Sequence, residues 1–548
     1  MIRGIFRSKS KTVTFAAVLL GGSALISRLL GLLRDRLLAG SFGAGEELDI
    51  YFAAFRIPDF VFGIIVMGGI SSVFVPVFSK YFLKDEEEGW KLASNVLNVF
   101  LFSLIVVCGT LAIFTPWLIN LVAPGFSAHQ KELAVSLTRI MFLSPVIFGI
   151  SSVFSGILHY FDRFLAYAMA PILYNVGIIF GIIFLYPLYG LVGLVYGVVF
   201  GAGLHLLIQV PAAISSGFRY KRVFDLGSSG LRTIFKLMLP RVAGTAALQV
   251  NLIVVTAIAS TLTAGSIAVF NFANNLQHFP IGIIGASFAV AAFPSLSRAW
   301  VNGARQQFIG HFSSALRQII FLIVPISALM FLLRAQIVRL ILGTGQFGWA
   351  DTRLTAASLG IFCIGIFAAS LVPFLARVFY SFQNTKTPVA ISLASMGLNV
   401  CLSFLFVHLL SIEGGFRNFF ISFLKLEGIE SIAVVGLPLA ISAAAIFQFL
   451  CLLFFLRQEM GKINLMDQLR SLRKVIMATM LMATATYLSL WAAAPFVDMN
   501  TVLGLFLQTV FAVLAGLLTY LFSAHLLGLP EIKNICSSVS GQFKKEAK

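Results

Sequence analysis

The chain has 548 residues, 59% of them hydrophobic and 11% charged, whereas a soluble domain carries about 25% charged residues. That composition excludes a soluble enzyme and describes a chain that crosses a bilayer many times. The net charge of +18 tempts one toward nucleic acid. The Lys and Arg lie mostly in short connections between apolar runs, however, which is the pattern of membrane orientation rather than of a nucleic-acid footprint.

The first residues, MIRGIFRSKSK, followed by an apolar run, mimic a signal peptide. The run continues too long and takes in Arg28, so it reads as an uncleaved first span. Runs long enough to span the bilayer number fourteen: 14–39, 50–79, 92–121, 134–158, 165–186, 190–213, 234–261, 265–297, 312–333, 354–381, 387–410, 432–456, 474–495 and 501–526. With the N-terminus inside, the inner connections hold about 25 of the 39 Lys and Arg and the outer ones about six. The asymmetry predicts that both termini are cytoplasmic. One outer connection, 334–353, carries Arg334, Arg339 and Arg353 and reads as a short interfacial helix. The remaining connections are too short for a soluble domain, and the DEEE run at 85–88 reads as a solvated inner loop.

The chain repeats itself. SRLLG at 27–31 is echoed by PRVAG at 240–244, VFVPVFSK at 73–80 by AAFPSLSR at 291–298, YFDRF at 160–164 by SFQNT at 381–385, and GLVYGVV at 193–199 by GLPLAIS at 436–442. Four matches in one order predict two six-helix halves, 1–213 and 237–456. A cytoplasmic linker, 214–236, joins them, and two extra helices with a tail follow at 457–548. Such repeats are a transporter architecture. The fold class is therefore an all-α polytopic membrane protein.

The charges inside spans are the candidate site. A charge near the bilayer centre costs about 2.5–3.5 kcal/mol on insertion scales and is kept mainly where it faces protein or water. Arg28, Gly31 and Asp35 share one helical face, with Arg34 about a third of a turn away. An Arg–Asp pair joining two helices is the structural reading. Against it, Arg28, Arg34, Arg36 and Arg56 outnumber Asp35, Asp49 and Asp59, and surplus buried cation calls for an external anion; a guanidinium fork suits phosphate oxygens. Arg36 can snorkel to an interface. Arg241 occupies the place of Arg28 in the second half, and Arg377, near the inner end of its span, reads as snorkelling. Pro58, Pro76, Pro280 and Pro294 fall at matching ends of the two halves and predict kinks; Gly63, Gly68 and Gly69 add weak points. Asn274, Asn275, Gln277 and His278 form a polar cluster that either bonds between helices or lines a cavity, while Asn251 and Asn399 read as structural. GSFGAG at 40–45 predicts a tight turn and lacks the Lys of a phosphate-binding loop. The five cysteines are scattered, with no metal spacing. No HExxH or GxSxG pattern appears.

The stretches SRLLGLLRD, FGAGEELDIYFAAFRIPD, VFVPVFSKY, LVAPGF, LTRIMFLSP, APILYNVGII, KLMLPR, FPIGIIGASFAVAAFPSLSR, GQFGWADTRLT, ARVFYSFQNTKTPV and GLPLA resemble the MurJ/MviN family of lipid II flippases, within the multidrug/oligosaccharidyl-lipid/polysaccharide exporter superfamily. The resemblance covers spans 1 to 12. It implies fourteen spans, a cationic cavity for a diphosphate-sugar headgroup, and alternating access sensitive to ion gradients or potential. It matches Arg28 and Arg34 to the family's two span-1 arginines, and Asp35 and Asp49 to its acidic positions. Two departures stand out. The family's RRxFAEGA run after the span-2 proline is FGIIVMGG here, Phe62 to Gly69, and its span-8 arginine is replaced by Asn275. Arg56 and His278 are the candidate replacements.

The expectation is a flippase in the bacterial inner membrane. It would move lipid II, or another polyprenyl-diphosphate-linked oligosaccharide, to the outer leaflet for cell-wall synthesis. Its expected headgroup contacts are Arg28, Arg34, Asp35, Asp49, Arg56, Arg241, Asn275 and His278, and its bending points Gly31, Pro58, Gly68, Gly69, Pro76, Pro280 and Pro294. No cofactor or metal is expected; a coupling ion is left open, and the cell-wall machinery is the candidate protein partner. A drug/cation antiporter would want embedded acids in spans 3–14, which hold almost none. A scaffold or enzyme of cell-wall synthesis is the remaining alternative.

Overall fold

A computed structural model describes residues 13–64, 71–461, 465–499 and 501–532. Among these the regular structure is helical throughout, with no strand. The chain divides into two compact units, Met1–Ala268 with Thr344–Phe347, and Val269–Gly343 with Gly348–Lys548.

The first unit contains α1 (Val13–Phe42), α2 (Glu46–Val61), α3 (Ser71–Lys84), α4 (Glu86–Val122), α5 (Ala128–Met141), α6 (Leu143–Tyr160) and α7 (Phe164–Phe180). It continues with α8 (Tyr186–Tyr189), α9 (Leu191–Leu207), α10 (Gln209–Ser215) and α11 (Ser229–Ser260). Local chemistry starts these helices where it should. Asp85 caps α4 by accepting from the Glu87 N–H, and Glu86, Glu87 and Glu88 fill its first turn, where the helix dipole favours anions. The DEEE run is thus a helix start rather than a loop. Ser127 and Gln130 form a reciprocal capping box on α5.

Two features fix the packing of this unit. Gly177 and Gly181 face Gly201 and Gly197: a Cβ on Gly177 would lie 2.2 Å from the Gly201 Cα, and one on Gly181 2.5 Å from the Gly197 Cα. Two small-xxx-small patterns therefore bring α7 and α9 into backbone contact, which in lipid replaces the missing hydrophobic drive with close dispersion contact. At one end, Phe78, Phe82, Trp90, Tyr160 and Phe161 stack edge-on and face-on. The connection after α10 is pinned to α4. Asn95 donates to the Asp225 carbonyl (2.8 Å) and accepts from its N–H (2.7 Å), Asn98 donates to the Val223 carbonyl, and Lys221 pairs with Glu87 at 2.6 Å.

The helix α12 (Ser266–Pro280) leads into the second unit. There follow α13 (Ser287–Val301), α14 (Arg305–Leu332), α15 (Arg334–Ile341), α16 (Trp349–Ser381) and α17 (Lys386–Ser411). The last four are α18 (Gly415–Leu424), α19 (Gly436–Met460), α20 (Leu465–Ala493) and α21 (Val502–Leu526). α16 packs against α19 so closely that a Cβ on Gly365 would sit 2.8 Å from the Ser442 Cα. α20 and α21 pack on α14, where the Tyr520 hydroxyl donates to the Phe321 carbonyl at 2.7 Å. Arg305 donates to the Met460 carbonyl at the end of α19. The interfacial connection predicted at 334–353 does contain a short helix, α15, whose Arg334 lies over the Phe331 ring.

Eleven helical segments among the described residues are long and apolar enough to cross a membrane, and they coincide with eleven of the fourteen expected runs. The other three runs are 14–39, 50–79 and 234–261. They are helical where described, as α1, α2 with α3, and α11, but fall outside that set. These are the segments that carry Arg28, Arg34, Arg56 and Arg241.

Candidate functional site

The charged stretch of α1 is held by Asn175 of α7, a residue that sequence reading passed over. Arg34 donates from Nε and Nη2 to Asp35 Oδ1 (3.1 and 2.8 Å) and from Nη1 to Asn175 Oδ1 on α7 (3.4 Å). Asn175 in turn donates to the Ser27 carbonyl and hydroxyl, both at 3.3 Å, and to the Pro171 carbonyl at 3.1 Å. The amide thus straps α1 to α7 one turn on either side of Gly31, where a Cβ would lie in ordinary contact, 4.0 Å from the Asn175 oxygen. Asp35 is 4% exposed and Asn175 8%. A guanidinium has five N–H donors; three of Arg34's are used, and two have no partner among the described residues. Its side chain remains a quarter exposed. Arg28 lies two turns earlier on α1, half-buried.

Asp49 has a different task. Its Oδ2 accepts from the Gly265 N–H at 2.7 Å and its Oδ1 from the Ala268 N–H at 2.8 Å. It therefore caps the first turn of α12 from another helix, where orphan N–H groups and the helix dipole favour an anion. Gly265 has φ +88°, and a Cβ there would strike the Ala44 carbonyl, so both backbone conformation and space require glycine.

Arg56 is 9% exposed and donates from Nε to Thr256 Oγ1 on α11 at 2.6 Å. Pro58 lies inside α2, and residues 62–64 beyond it widen into π-helical turns. Gln249 of α11 donates to the Asp59 carbonyl at 2.9 Å, and a Cβ on Gly63 would collide with that amide. The same sequence of proline and π-turn recurs in the second unit: Pro280 ends α12 and Ile281–Ala286 is π-helical. Arg377 donates to the Ala286 carbonyl there (3.4 Å) rather than only reaching for an interface. Wide turns of this kind mark places where helices bend. Pro76 and Pro294 lie inside α3 and α13. On α12, Gln277 donates to Asn274 at 2.9 Å, Asn275 is half-buried and His278 exposed. Gly68, Gly69 and the side chain of Arg241 lie outside the described residues.

Beside α2 the first unit has a partly open cavity of about 370 Å³. Its polar lining is Asp59, Ser144, Ser152, Ser155, Tyr167, Tyr174 and His205; the rest is aromatic and aliphatic. His205 Nδ1 meets Ser151 Oγ at 2.7 Å, and Gln209 bridges Ser151 (2.9 Å) and Ser155 (2.6 Å). This network escaped the sequence reading, although Ser151/Ser155 and His205/Gln209 are each spaced i, i+4 on an apolar helix, the pattern of one polar face meeting another.

A family profile described as "Lipid II flippase MurJ" matches residues 38–507. The chain belongs to this MurJ family. Among its relatives, a probable lipid II flippase MurJ of Buchnera aphidicola (subsp. Acyrthosiphon pisum) is 28% identical over 519 residues, covering 92% of this chain and 95% of the relative. The lipid II flippase MurJ of Burkholderia cenocepacia is 28% identical over 413 residues, covering 73% and 79%. A solved MurJ structure in an inward closed conformation superposes with TM-score 0.75 at 26% identity, covering 93% of this chain and 98% of that one. An inward-facing multidrug transporter of the MATE family shares the fold, with TM-score 0.65 at 17% identity.

Proposed function

We propose that this chain flips lipid II, the lipid-linked peptidoglycan precursor, from the inner to the outer leaflet of the bacterial cytoplasmic membrane by alternating access. It is a multi-pass membrane transporter and not an enzyme. The family match along 38–507 supports the substrate class. The observation that carries the mechanism is Arg34: a guanidinium in α1, fixed by Asp35 and Asn175, with two N–H groups still to give. Fixed donors bind phosphate oxygens without first losing side-chain freedom.

In this reading Arg34 and Arg28 take the diphosphate, with Arg56 and Arg241 adding positive field. Asn275 stands where the family has an arginine, and His278 is a candidate replacement contact. Asp35 and Asp49 act by positioning: one aims Arg34, the other caps α12. The halves 1–213 and 237–456 are the moving parts, 214–236 joins them, and the proline and π-turn pairs are the bending points. Both termini face the cytoplasm, and the cell-wall synthesis machinery is the proposed partner. Expression in a bacterium depleted of its own lipid II flippase tests the substrate. Growth and normal cell shape are expected; lysis, with the protein expressed and inserted, would contradict it.

A further inference from the structure

Among the acids of the first unit, two are fully engaged. Asp35 is bound by Arg34, and Asp49 by backbone N–H groups. Asp59 differs. Its carbonyl is bonded to Gln249, but its carboxylate makes no hydrogen bond or ion pair among the described residues and faces the 370 Å³ cavity. It lies in the electrostatic field of Arg56 and Arg34 without touching either. Ser144 Oγ, buried in the same cavity wall, also has no partner among the described residues. A carboxylate in such a place can turn and can carry water with it.

We infer that Asp59 is an internal anion that competes with the substrate's diphosphate for the field of Arg34 and Arg56, and thereby sets the rate at which the headgroup is released. The inference rests on the diphosphate reading of Arg34. In the empty protein Asp59 offsets part of the cationic charge. When a diphosphate takes the two remaining Arg34 donors, the carboxylate and the ligand face the same cations and repel each other. Binding is weakened, and release after reorientation is quickened. Coupling of this kind is reciprocal: whatever neutralises Asp59 must tighten the anion.

Protonation is one such neutraliser. A proton from water adds to a carboxylate oxygen, no other bond changes, and the repulsion disappears. The groups around Asp59 are Arg56 and Tyr51 on its own helix, Arg34 from α1, Tyr167 and Tyr174 from α7, and His205 from α9, whose Nδ1 is held by Ser151. The described part of α11 contributes Gln249 and Thr256, both neutral.

The test uses the purified full chain and farnesyl diphosphate as probe, with affinity measured at neutral and mildly acid pH, and flipping rate measured beside it. Asp59→Asn keeps the shape and sacrifices no hydrogen bond, so folding is checked simply by its melting temperature. The variant is expected to bind the probe about tenfold more tightly at neutral pH, a coupling of ordinary size, and to flip more slowly. The wild type should tighten on acidification more than the variant does. Asp59→Glu should restore weak binding and fast flipping. Equal affinity of wild type and Asp59→Asn, or weaker binding by the variant, would overturn the inference while leaving the diphosphate reading intact. Absence of saturable binding by the wild type would overturn both.

Discussion

In the first unit Arg34, Asp35 and Arg56 lie within helices α1 and α2 and meet side chains: Arg34 meets Asp35 and Asn175, and Arg56 meets Thr256. In the second, Arg305, Arg353 and Arg417 reach backbone carbonyls at helix ends and connections: those of Met460, of Lys425 and Glu427, and of Glu430. The residue type is the same and the consequence is not. A carbonyl that ends a helix needs a donor, so an arginine there completes the structure. Arg34 is held just as firmly yet keeps two donors in reserve. In the proposed function, that reserve is what takes the diphosphate.

The largest expected effect comes from Arg34→Ala. It leaves Asp35 buried without its cation, which costs about 3–5 kcal/mol, and a large fall in melting temperature should accompany the loss of flipping. The double change Arg34→Ala with Asp35→Ala should recover most of the stability and none of the transport. Recovery of both would mean that the pair is only a strap between helices.

Gly197→Leu comes next. It drives a side chain into the Gly181 backbone and should cost about 1–3 kcal/mol, read as a lower melting temperature. Because α7 also carries Asn175, flipping should fall with it. Asp49→Ala removes a cap worth about 0.5–2 kcal/mol, and Asp49→Asn should cost less; both should melt earlier and bind the probe normally. A variant at Asp49 that melts normally but loses binding would make it a headgroup contact after all.

Arg353→Ala is the smallest, under about 1 kcal/mol for a partly exposed pair, with flipping unchanged. A stronger transport defect there than at Arg56 would erase the contrast between the two units.

The helical architecture was legible because apolar runs of bilayer length have few other uses. Eleven of the fourteen expected runs qualify as spans among the described residues. Arg28 and Arg34 could be singled out because a charge in an apolar run is conspicuous. Asn175, Thr256 and Gln249 could not, since a neutral amide or hydroxyl in a helix looks the same whether it serves a partner or merely fits. The DEEE run misled for a related reason: its charges mark a helix start through Asp85, and the cap shows only in the backbone. Pro58 and Pro280 were readable as kinks, but not the π-turns beyond them, which depend on how the freed carbonyls find partners such as Arg377.

The central claim is that the arginines of α1 hold the headgroup during flipping. Arg28 tests it with Arg34, Asp35 and Asn175 all retained. In cells depleted of their own flippase, the fraction of lipid II exposed on the outer leaflet should be normal with the wild-type chain and fall to background with Arg28→Ala, at equal levels of inserted protein. Normal exposure of lipid II with Arg28→Ala would contradict the account.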